Sequence, residues 1–385
     1  MRSLLLLLAT VASALHGYAA DLRFGVLSDF HLEPHFAGQA LRLGADAPPA
    51  LVKSALHSLS TNGAKLQFVL FAGDLLPHRI DAARESVAFE NQLVNLFHSN
   101  LPDVPVFPVL GNNDSDNGDY RQPSQKFLTN FAELWSPLVG GTNQEVVRKF
   151  VAEFELNGAY DLALPGLPTQ LVGLNSFFLS SDPRSSAKAK EAGQQLDLLA
   201  QVARDQATKP VWLLYHIPPG VDGYRLFTGQ KEVWFWETNR QTAFLEILRG
   251  HLNITESFCG HTHMDDLRLI SQSANDNAQT VREKPVHIVH VVPSVGPNHG
   301  NYPAYQIYSV SPEGKITGSA TWRTTNGSSW ELEYTVTNAP PMSYAGPPKM
   351  DFADHYTVVS PDVSNFWIHL GLQRYWDEVV PITGN

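Results

Sequence analysis

The sequence predicts a layered α/β fold. Short apolar runs alternate along the chain with longer segments of helical periodicity, and this alternation is typical of βαβ units. The chain has 385 residues, of which 43% are hydrophobic, so it is long enough to bury a large core. Polar residues that follow several of the apolar runs stand beside glycines, which permit tight turns. We therefore expect one large domain with polar side chains gathered at one end of its strands.

The elements follow in chain order from these patterns. The predicted strands are Leu22–Leu27, Phe68–Ala72, Val106–Leu110, Thr169–Leu174, Val211–Tyr215, Ile254–Cys259 and Val286–Val292, followed by Gln306–Val310, Lys315–Trp322 and Trp330–Val336. The predicted helices are Leu51–Leu59, Ala82–Phe97, Ser124–Trp135, Asn143–Phe150 and Ala187–Asp205. Thr142 and Glu145 have the spacing of a capping box at the start of the fourth helix.

Residues 1–19 are predicted to be a signal peptide. Arg2 precedes an apolar stretch from Leu4 to Leu15, and the small residues Gly17 and Ala19 place the cleavage after Ala19. The apolar stretch is too short to span a bilayer as a helix, and no later segment is long and apolar enough to do so. We therefore expect an exported protein, secreted, periplasmic or lumenal, with no transmembrane anchor after cleavage.

Charge and cysteine content narrow the function classes. Lys and Arg number 27 against 38 Asp and Glu, which gives a formal net charge of −11. Because a nucleic-acid-binding surface needs to be basic, we do not expect one on this protein. The one cysteine, Cys259, has no partner within the chain and ends an apolar run. A buried structural thiol is therefore expected there, and neither a disulfide framework nor a cysteine nucleophile.

Five predicted strands end in side chains that can bind metal or catalyse reactions. In open α/β sheets, sites form outside the carboxyl ends of the strands, so these side chains are expected to converge. The sequences that follow the five strands are Ser28-Asp29-Phe30-His31, Gly73-Asp74, Gly111-Asn112-Asn113-Asp114, His216-Ile217-Pro218-Pro219-Gly220 and Gly260-His261-Thr262-His263.

The residue types indicate a divalent metal site. Carboxylate, imidazole and amide donors without cysteine suit zinc, iron or manganese, and one aspartate can bridge two ions. Two ions about 3.5–4 Å apart activate water and hold the attacking and leaving oxygens of a displacement at phosphorus. The sequence has no G-x-x-x-x-G-K-[ST] loop, no G-x-S-x-G elbow and no H-E-x-x-H pair, which argues against P-loop, serine-hydrolase and zincin chemistry.

The order D-x-H, G-D, G-N-x-D, H, G-H-x-H resembles the calcineurin-like metallophosphoesterase family. The runs Gly73–His78 (GDLLPH), His216–Gly220 (HIPPG) and Gly260–Asp266 (GHTHMDD) resemble its acid sphingomyelinase-like phosphodiesterase and endopolyphosphatase branch. The resemblance extends from Leu22 to about Tyr308. It implies a sandwich of two packed mixed β-sheets flanked by α-helices.

The resemblance also implies a domain division and two metal ions. Residues 20–338 would form the catalytic domain, and residues 339–385 a Pro-rich linker (Ala339–Lys349) with a tail that packs on the domain. We expect the aromatic part of the tail, Phe366 to Trp376, to be a helix. One ion would be held by Asp29, His31, Asp74 and His263, and the other by Asp74, Asn112, His216 and His261, with Asp74 bridging.

Two further residues would act in catalysis. A hydroxide bridging the ions would attack phosphorus, and His78 matches the histidine near the leaving oxygen, which makes it the expected general acid. The family usually has histidine where this chain has Asn113. An amide can donate a hydrogen bond to a phosphoryl oxygen but cannot supply a proton, so the burden of protonation shifts to His78.

Aromatic residues follow the HIPPG run. Trp234 and Trp236, with Tyr224 and Phe227, could form a wall for a lipid, choline or base moiety, because aromatic faces bind cations and flat rings. Packing in the core is an equally good interpretation of both tryptophans.

These observations lead to a functional expectation. The protein is expected to be a monomeric, exported phosphodiesterase with two divalent ions, zinc first and iron or manganese as alternatives, acting on a small phosphodiester, a nucleotide or a phospholipid headgroup. The first alternative is an endopolyphosphatase-type hydrolase of phosphoanhydride bonds, favoured by Asn113. A remote alternative is a non-catalytic metal-binding protein on the same fold.

Overall fold

A computed structural model of the chain describes residues 21–36, 41–185, 189–222, 233–270, 272, 286–337, 343–345, 357–358 and 366–370. The predicted signal peptide, Tyr224 and Phe227 lie outside the described residues. Within those ranges, two mixed β-sheets pack together and helices flank them, which confirms the predicted fold class. No helix in the described part of the chain is long and apolar enough to cross a lipid bilayer.

Among the described residues, the first sheet has seven strands. They are β1 (Leu22–Leu27), β2 (Val69–Phe71), β3 (Val106–Pro108), β10 (Ala304–Val310), β11 (Ile316–Arg323), β12 (Glu331–Thr337) and β13 (Ser343–Ala345). Their order is β13-β12-β11-β10-β1-β2-β3. β1, β2 and β3 run parallel to one another, and the remaining pairs are antiparallel. The carboxyl ends of β1, β2 and β3 therefore open at the same edge.

The second sheet has eight strands in the part of the chain that the structure describes. They are β4 (Tyr160–Ala163), β5 (Gln170–Gly173), β6 (Val211–Leu214), β7 (Ile254–Cys259), β8 (Asp266–Ile270), β9 (His287–Val291), β14 (Thr357–Val358) and β15 (Phe366–Leu370). Their order is β14-β15-β8-β9-β7-β6-β5-β4. The central strands β5, β6, β7 and β9 are parallel, and β6 is a continuous apolar run (VWLL), as expected of a strand that is buried on both faces.

Aromatic side chains join the two sheets. Phe24 on β1 lies with its ring centroid 5.3 Å from that of Trp212 on β6 and 5.5 Å from that of Phe258 on β7. Tyr308 on β10 stacks on Phe24 and meets Phe258 edge to face. All four rings are buried, and the two sheets are held in one relative position by packing that a single smaller residue would disrupt.

Six α-helices surround the sheets in the described residues. They are α1 (Pro49–Gly63), α2 (Ala82–Asn100), α3 (Gln125–Gly140), α4 (Gln144–Asn157), α5 (Ala189–Asp205) and α6 (Thr238–Gly250). The predicted capping box of α4 is wrong by one residue: the cap is Asn143, whose side-chain oxygen accepts from the backbone N–H groups of Glu145 and Val146. Asn caps as well as Thr or better, and spacing alone does not choose between adjacent candidates.

Other sequence predictions need correction. Helix α6 and strands β4 and β8 were not expected. The aromatic tail is a strand where the structure describes it, because β15 pairs antiparallel with β8 at the edge of the second sheet. Part of the predicted linker also forms a strand, since β13 pairs with β12. In both cases the segment becomes a strand because it pairs with the edge of a sheet, and the local sequence does not indicate this pairing.

Candidate metal centre

The seven predicted ligands come together where the carboxyl ends of strands from both sheets meet. The loops after β1, β2 and β3 come from the first sheet, and those after β6 and β7 come from the second. The side chains that these loops contribute are Asp29 and His31, Asp74, Asn112, His216, and His261 and His263. All except the partly exposed His261 are buried.

The backbone of this centre is strained at five of the seven residues. Their φ angles lie between 43° and 73°, in the left-handed region that residues with a Cβ rarely adopt. Each such conformation costs about 1–3 kcal/mol and persists only where the surrounding structure imposes it, most often at functional sites. The five residues are Asp29, His31, Asp74, His261 and His263.

Two glycines allow the loops to approach closely. A Cβ at Gly111 would lie 2.0 Å from Asp74 Oδ1, and one at Gly260 would lie 2.4 Å from Asp29 Oδ2. Both distances are far below van der Waals contact. Glycine at these positions is therefore required for the two aspartates to occupy the centre.

The first group of donors comprises Asp29, His31 and His263. The Nε2 atoms of His31 and His263 are 3.3 Å apart. Asp29 Oδ1 lies 3.3 Å from His263 Nε2 and 3.9 Å from His31 Nε2. Three potential ligand atoms from two sheets thus surround one point.

The second group comprises Asn112, His216 and His261. Asn112 Oδ1 lies 3.2 Å from His216 Nε2 and 2.8 Å from His261 Nδ1. His261 presents Nδ1 to this group, whereas the other three histidines of the centre present Nε2.

Asp74 joins the two groups. Its Oδ2 atom lies 3.5 Å from His31 Nε2 in the first group and 3.2 Å from His216 Nε2 in the second. One carboxylate oxygen therefore faces both groups, which is the position that a bridging ligand needs.

The donor set fits divalent metal ions. Two ligands about 2.0–2.1 Å from a tetrahedral zinc ion are about 3.3 Å from each other, close to most of the distances between donor atoms here. The Nδ1 atoms of His31 and His216 lie 3.1 Å and 2.7 Å from the carbonyl oxygens of Leu76 and Ala72. Nδ1–H donation to these carbonyls leaves both Nε2 lone pairs free for metal, as is usual for metal-binding histidines.

The electrostatics of the centre also favour cations. Burial lowers the pKa of His31 to about 4 and that of His261 to about 3, so both rings are neutral at neutral pH. Burial also lowers the pKa of His216, but the charges of Asp74 and Asp29 outweigh it and raise the value to about 9. A proton on His216 therefore competes with a divalent ion for the field of two buried carboxylates.

This competition leads to a prediction for metal binding. We expect loading of the centre at neutral pH to release at least the one proton held by His216, and the apparent metal affinity to rise with pH up to about 9. Titration calorimetry in two buffers of different protonation enthalpy measures the released proton. A His216→Gln variant, which has no such proton, is the control, and equal heats for the unmodified protein in both buffers would contradict the prediction.

Asp114 holds the loops after β2 and β3 together. Its buried carboxylate accepts from four backbone N–H groups, those of Asp74, Leu75, Leu76 and Gly111, at 2.8–3.0 Å. Burial and the nearby charge of Asp74 raise the pKa of Asp114 to about 7. They outweigh the hydrogen bonds from the backbone N–H groups, which lower this pKa. A cation bound at Asp74 would reduce the repulsion between the carboxylates of Asp74 and Asp114.

His78 lies at the rim of the first group. Its ring stacks on that of His31, with 4.2 Å between centroids, and its side chain is 41% exposed. Asp46 accepts from the backbone N–H of His78 at 2.9 Å and lies 2.8 Å from Nδ1. Burial lowers the pKa of His78, but the hydrogen bond and charge of Asp46 outweigh it and raise the pKa.

Asn113 faces Asp74. Its backbone N–H donates to Asp74 Oδ1 at 2.8 Å and its side-chain amide donates to Oδ2 at 3.0 Å. From the sequence, this amide was expected to be able to donate to a phosphoryl oxygen. In this structure it is instead bound to the carboxylate between the two groups.

The predicted aromatic wall is wrong for Trp236. This side chain is fully buried, donates from Nε1 to the carbonyl of Ile217 at 2.9 Å, and packs on Tyr215 and Phe244. Trp234 is partly buried and packs against the same core. Phe235, which lies between the two tryptophans, does reach the centre: its ring meets that of His261 edge to face, with 5.1 Å between centroids.

Sequence reasoning missed several residues beside the centre. Asp46 binds His78, Asn298 Nδ2 lies 3.1 Å from His78 Nδ1, and the ring of His299 lies 4.3 Å from that of His263. On the other side, Asp119 and Tyr120 contact Asn112 and His261.

Three curated proteins resemble this chain over most of its length. Mouse acid sphingomyelinase-like phosphodiesterase 3b is 26% identical over 368 residues, covering 82% of this chain and 75% of the relative. Cyclic GMP-AMP phosphodiesterase SMPDL3A of Bos taurus is 23% identical, with 82% and 75% covered. Sphingomyelinase phosphodiesterase C of Dictyostelium discoideum is 27% identical, with 64% and 53% covered.

Solved structures share the fold. A dimetal phosphatase from Danio rerio superposes with a TM-score of 0.52 at 14% identity, covering 83% of this chain and all of the other. PhoD superposes with a TM-score of 0.53 at 9% identity, covering 86% and 72%. The family model of the calcineurin-like phosphoesterases matches residues 22–265, a span that contains all seven candidate ligands. The chain therefore belongs to the calcineurin-like phosphoesterase family, whose fold implies a centre of two divalent metal ions.

Proposed function

We propose that the protein is a metal-dependent phosphodiesterase that hydrolyses small phosphodiesters at this centre. The observation that carries the proposal is the position of Asp74 Oδ2, which faces a ligand group on each side. In the proposal, Asp29, His31, His263 and Asp74 hold one ion. Asp74, Asn112, His216 and His261 hold the other. Zinc is the first choice because imidazole and carboxylate donors suit it, with iron or manganese as alternatives.

The two ions, when bound, supply an activated water and neutralise the charge that develops on phosphorus oxygens. Protonation of the leaving oxygen is then assigned to His78. Asp46 holds Nδ1 and stabilises the protonated ring, which leaves Nε2 as the nitrogen that transfers a proton. The stacking of this ring on His31 places it beside the ligand group that would hold the first ion.

Asn113 is proposed to orient the bridging carboxylate. Its two donors fix both oxygens of Asp74, and a bound phosphoryl group offers the side-chain amide a second acceptor. Asparagine fits this role but carries no proton to transfer, so catalysis depends on His78.

A small phosphodiester, either a nucleotide or a phospholipid headgroup, is the proposed substrate. The named relatives include enzymes of both kinds, for sphingomyelin and for cyclic GMP-AMP. Phe235 presents an aromatic edge beside His261, and Trp234 is the remaining candidate for a neighbouring substrate contact. We further propose that the protein acts as a monomer after export, with residues 1–19 removed.

Endopolyphosphatase activity is the second candidate. Asn113 favours it, but a long polyanion needs free cationic side chains along its path. Arg184, which covers the ring of Tyr120 beside the second group, is bound to Asp119 and Asp182. Arg84 is paired with Asp81. With a formal net charge of −11, the chain is better suited to a small substrate.

Hydrolysis by the purified, metal-loaded protein tests the proposal. We expect turnover of bis-p-nitrophenyl phosphate to exceed that of p-nitrophenyl phosphate, with little shortening of long-chain polyphosphate. Polyphosphate cleavage without diester turnover would transfer the assignment to the second candidate. Two bound ions with no activity on any of the three substrates would indicate a metal-binding protein that has lost catalysis.

A further inference from the structure

We propose that Asp119, Tyr120 and Arg184 form a clamp that positions the second ligand group and thereby sets the affinity for the second ion. This inference rests on the proposed function, because it assumes that Asn112 and His261 bind that ion. The three residues contact the metal-binding side chains, not the substrate, and are therefore positioning residues.

Asp119 determines which atom Asn112 presents to the centre. Asn112 Nδ2 donates to Asp119 Oδ1 at 2.8 Å, and this bond turns Oδ1 towards His216 and His261. A carboxamide that rotates by half a turn would present an NH₂ group, which cannot bind a cation. Without the acceptor at Asp119, nothing on the described outer side of Asn112 selects the productive orientation.

Tyr120 acts in the same way on His261. Its hydroxyl lies 3.2 Å from His261 Nε2, while Nδ1 faces Asn112 Oδ1. Donation from Nε2–H to the hydroxyl leaves the Nδ1 lone pair for the ion. Metal-bound histidines characteristically have such a partner on their other nitrogen.

Arg184 holds both of these residues. Its Nη1 donates to Asp119 Oδ2 at 2.8 Å, and its guanidinium carbon lies 4.7 Å from the centre of the Tyr120 ring. Asp182 accepts from Nε and Nη2, both at 2.9 Å, which fixes the plane of the guanidinium. A planar group with a fixed fork of donors can hold a carboxylate and cover a ring at once, whereas lysine cannot.

The clamp acts on only one of the two ligand groups. Arg184 lies between β5 and β6, and two of its described partners, Asp119 and Tyr120, contact Asn112 and His261. In the first group, His31 Nδ1 is held by the carbonyl oxygen of Leu76, and Asp29 accepts from the backbone N–H of His261. Loss of the clamp should therefore weaken the binding of one ion and leave the binding of the other unchanged. Partners of metal ligands typically contribute about 10–100-fold to metal affinity.

Stepwise metal titration of the full-length protein tests the clamp. Zinc is added to metal-free protein, with calorimetry for the two affinities and elemental analysis for the ion count after dialysis. For Asp119→Ala and Arg184→Ala we expect one of the two measured affinities to fall about 10–100-fold while the other changes less than about twofold. Asp119→Asn keeps an acceptor for Asn112 and should retain most of the affinity.

Arg84→Ala is the matched control, because it removes an exposed arginine that is paired with Asp81 away from the clamp. Circular dichroism checks that each variant is folded. If both metal affinities fell equally, or if neither changed, the clamp would be overturned while the proposed function remained intact. An unmodified protein that binds fewer than two ions would overturn both.

Discussion

Replacing Asp74 with asparagine is expected to reduce phosphodiester hydrolysis by about 10³-fold or more, because metal ions contribute several kcal/mol to the transition state and each 1.36 kcal/mol is a factor of ten in rate. The substitution preserves shape but removes the negative charge that faces both ligand groups through Oδ2. Metal analysis should show fewer than two ions per chain. Steady-state kinetics under saturating metal measures the loss in kcat.

The same substitution also changes the protonation of the centre. Asp74 contributes most to the raised pKa of His216, so Asp74→Asn lowers that pKa and reduces the competition from protons. The remaining activity should therefore not be restored by raising the pH. Asp161→Asn, a change to a carboxylate on β4 that is bound to Lys149, controls for the substitution itself. A variant that keeps two ions and more than about a tenth of the activity would contradict a bridging role.

The core strands and the ligands were predictable from the sequence because their signals are local. An apolar run that ends in Gly-Asp or Gly-His carries both the strand and the side chain that follows it. Strand β1 (Leu22–Leu27) and strand β7 (Ile254–Cys259) have the predicted bounds. The left-handed backbone of Asp29 and His263 was not predictable, since their neighbours do not indicate it.

The residues around the ligands were missed because their contacts join distant parts of the chain. Asp46 is 32 residues from His78, and Arg184 is 65 residues from Asp119. Each of these residues looks like an ordinary surface charge in the sequence. Trp236, by contrast, was predicted to contact substrate because it is aromatic. The structure places it in the core, where it donates a buried hydrogen bond to the carbonyl of Ile217.

Replacing His78 with alanine is expected to slow hydrolysis in a way that depends on the leaving group. General acid catalysis contributes about 10²–10⁴-fold where the leaving oxygen needs a proton. A diester that releases an alkoxide, such as a choline or ribose ester, should lose activity in that range. Bis-p-nitrophenyl phosphate should lose far less, because p-nitrophenolate leaves without protonation. Measuring kcat for both substrates with the same variant separates proton transfer from general damage to the site.

Asp46→Asn makes the test sharper. The hydrogen bond and charge of Asp46 raise the pKa of His78, and the acid works only while the ring is protonated. Removing the charge lowers that pKa, so the alkaline limb of the pH–rate profile should move to lower pH, while the ring stays in place on His31. If His78→Ala slowed both diesters equally, or if Asp46→Asn left the alkaline limb unmoved, the proton would have another source. In that case His78 would be a structural neighbour of His31, and the leaving oxygen would take its proton from solvent.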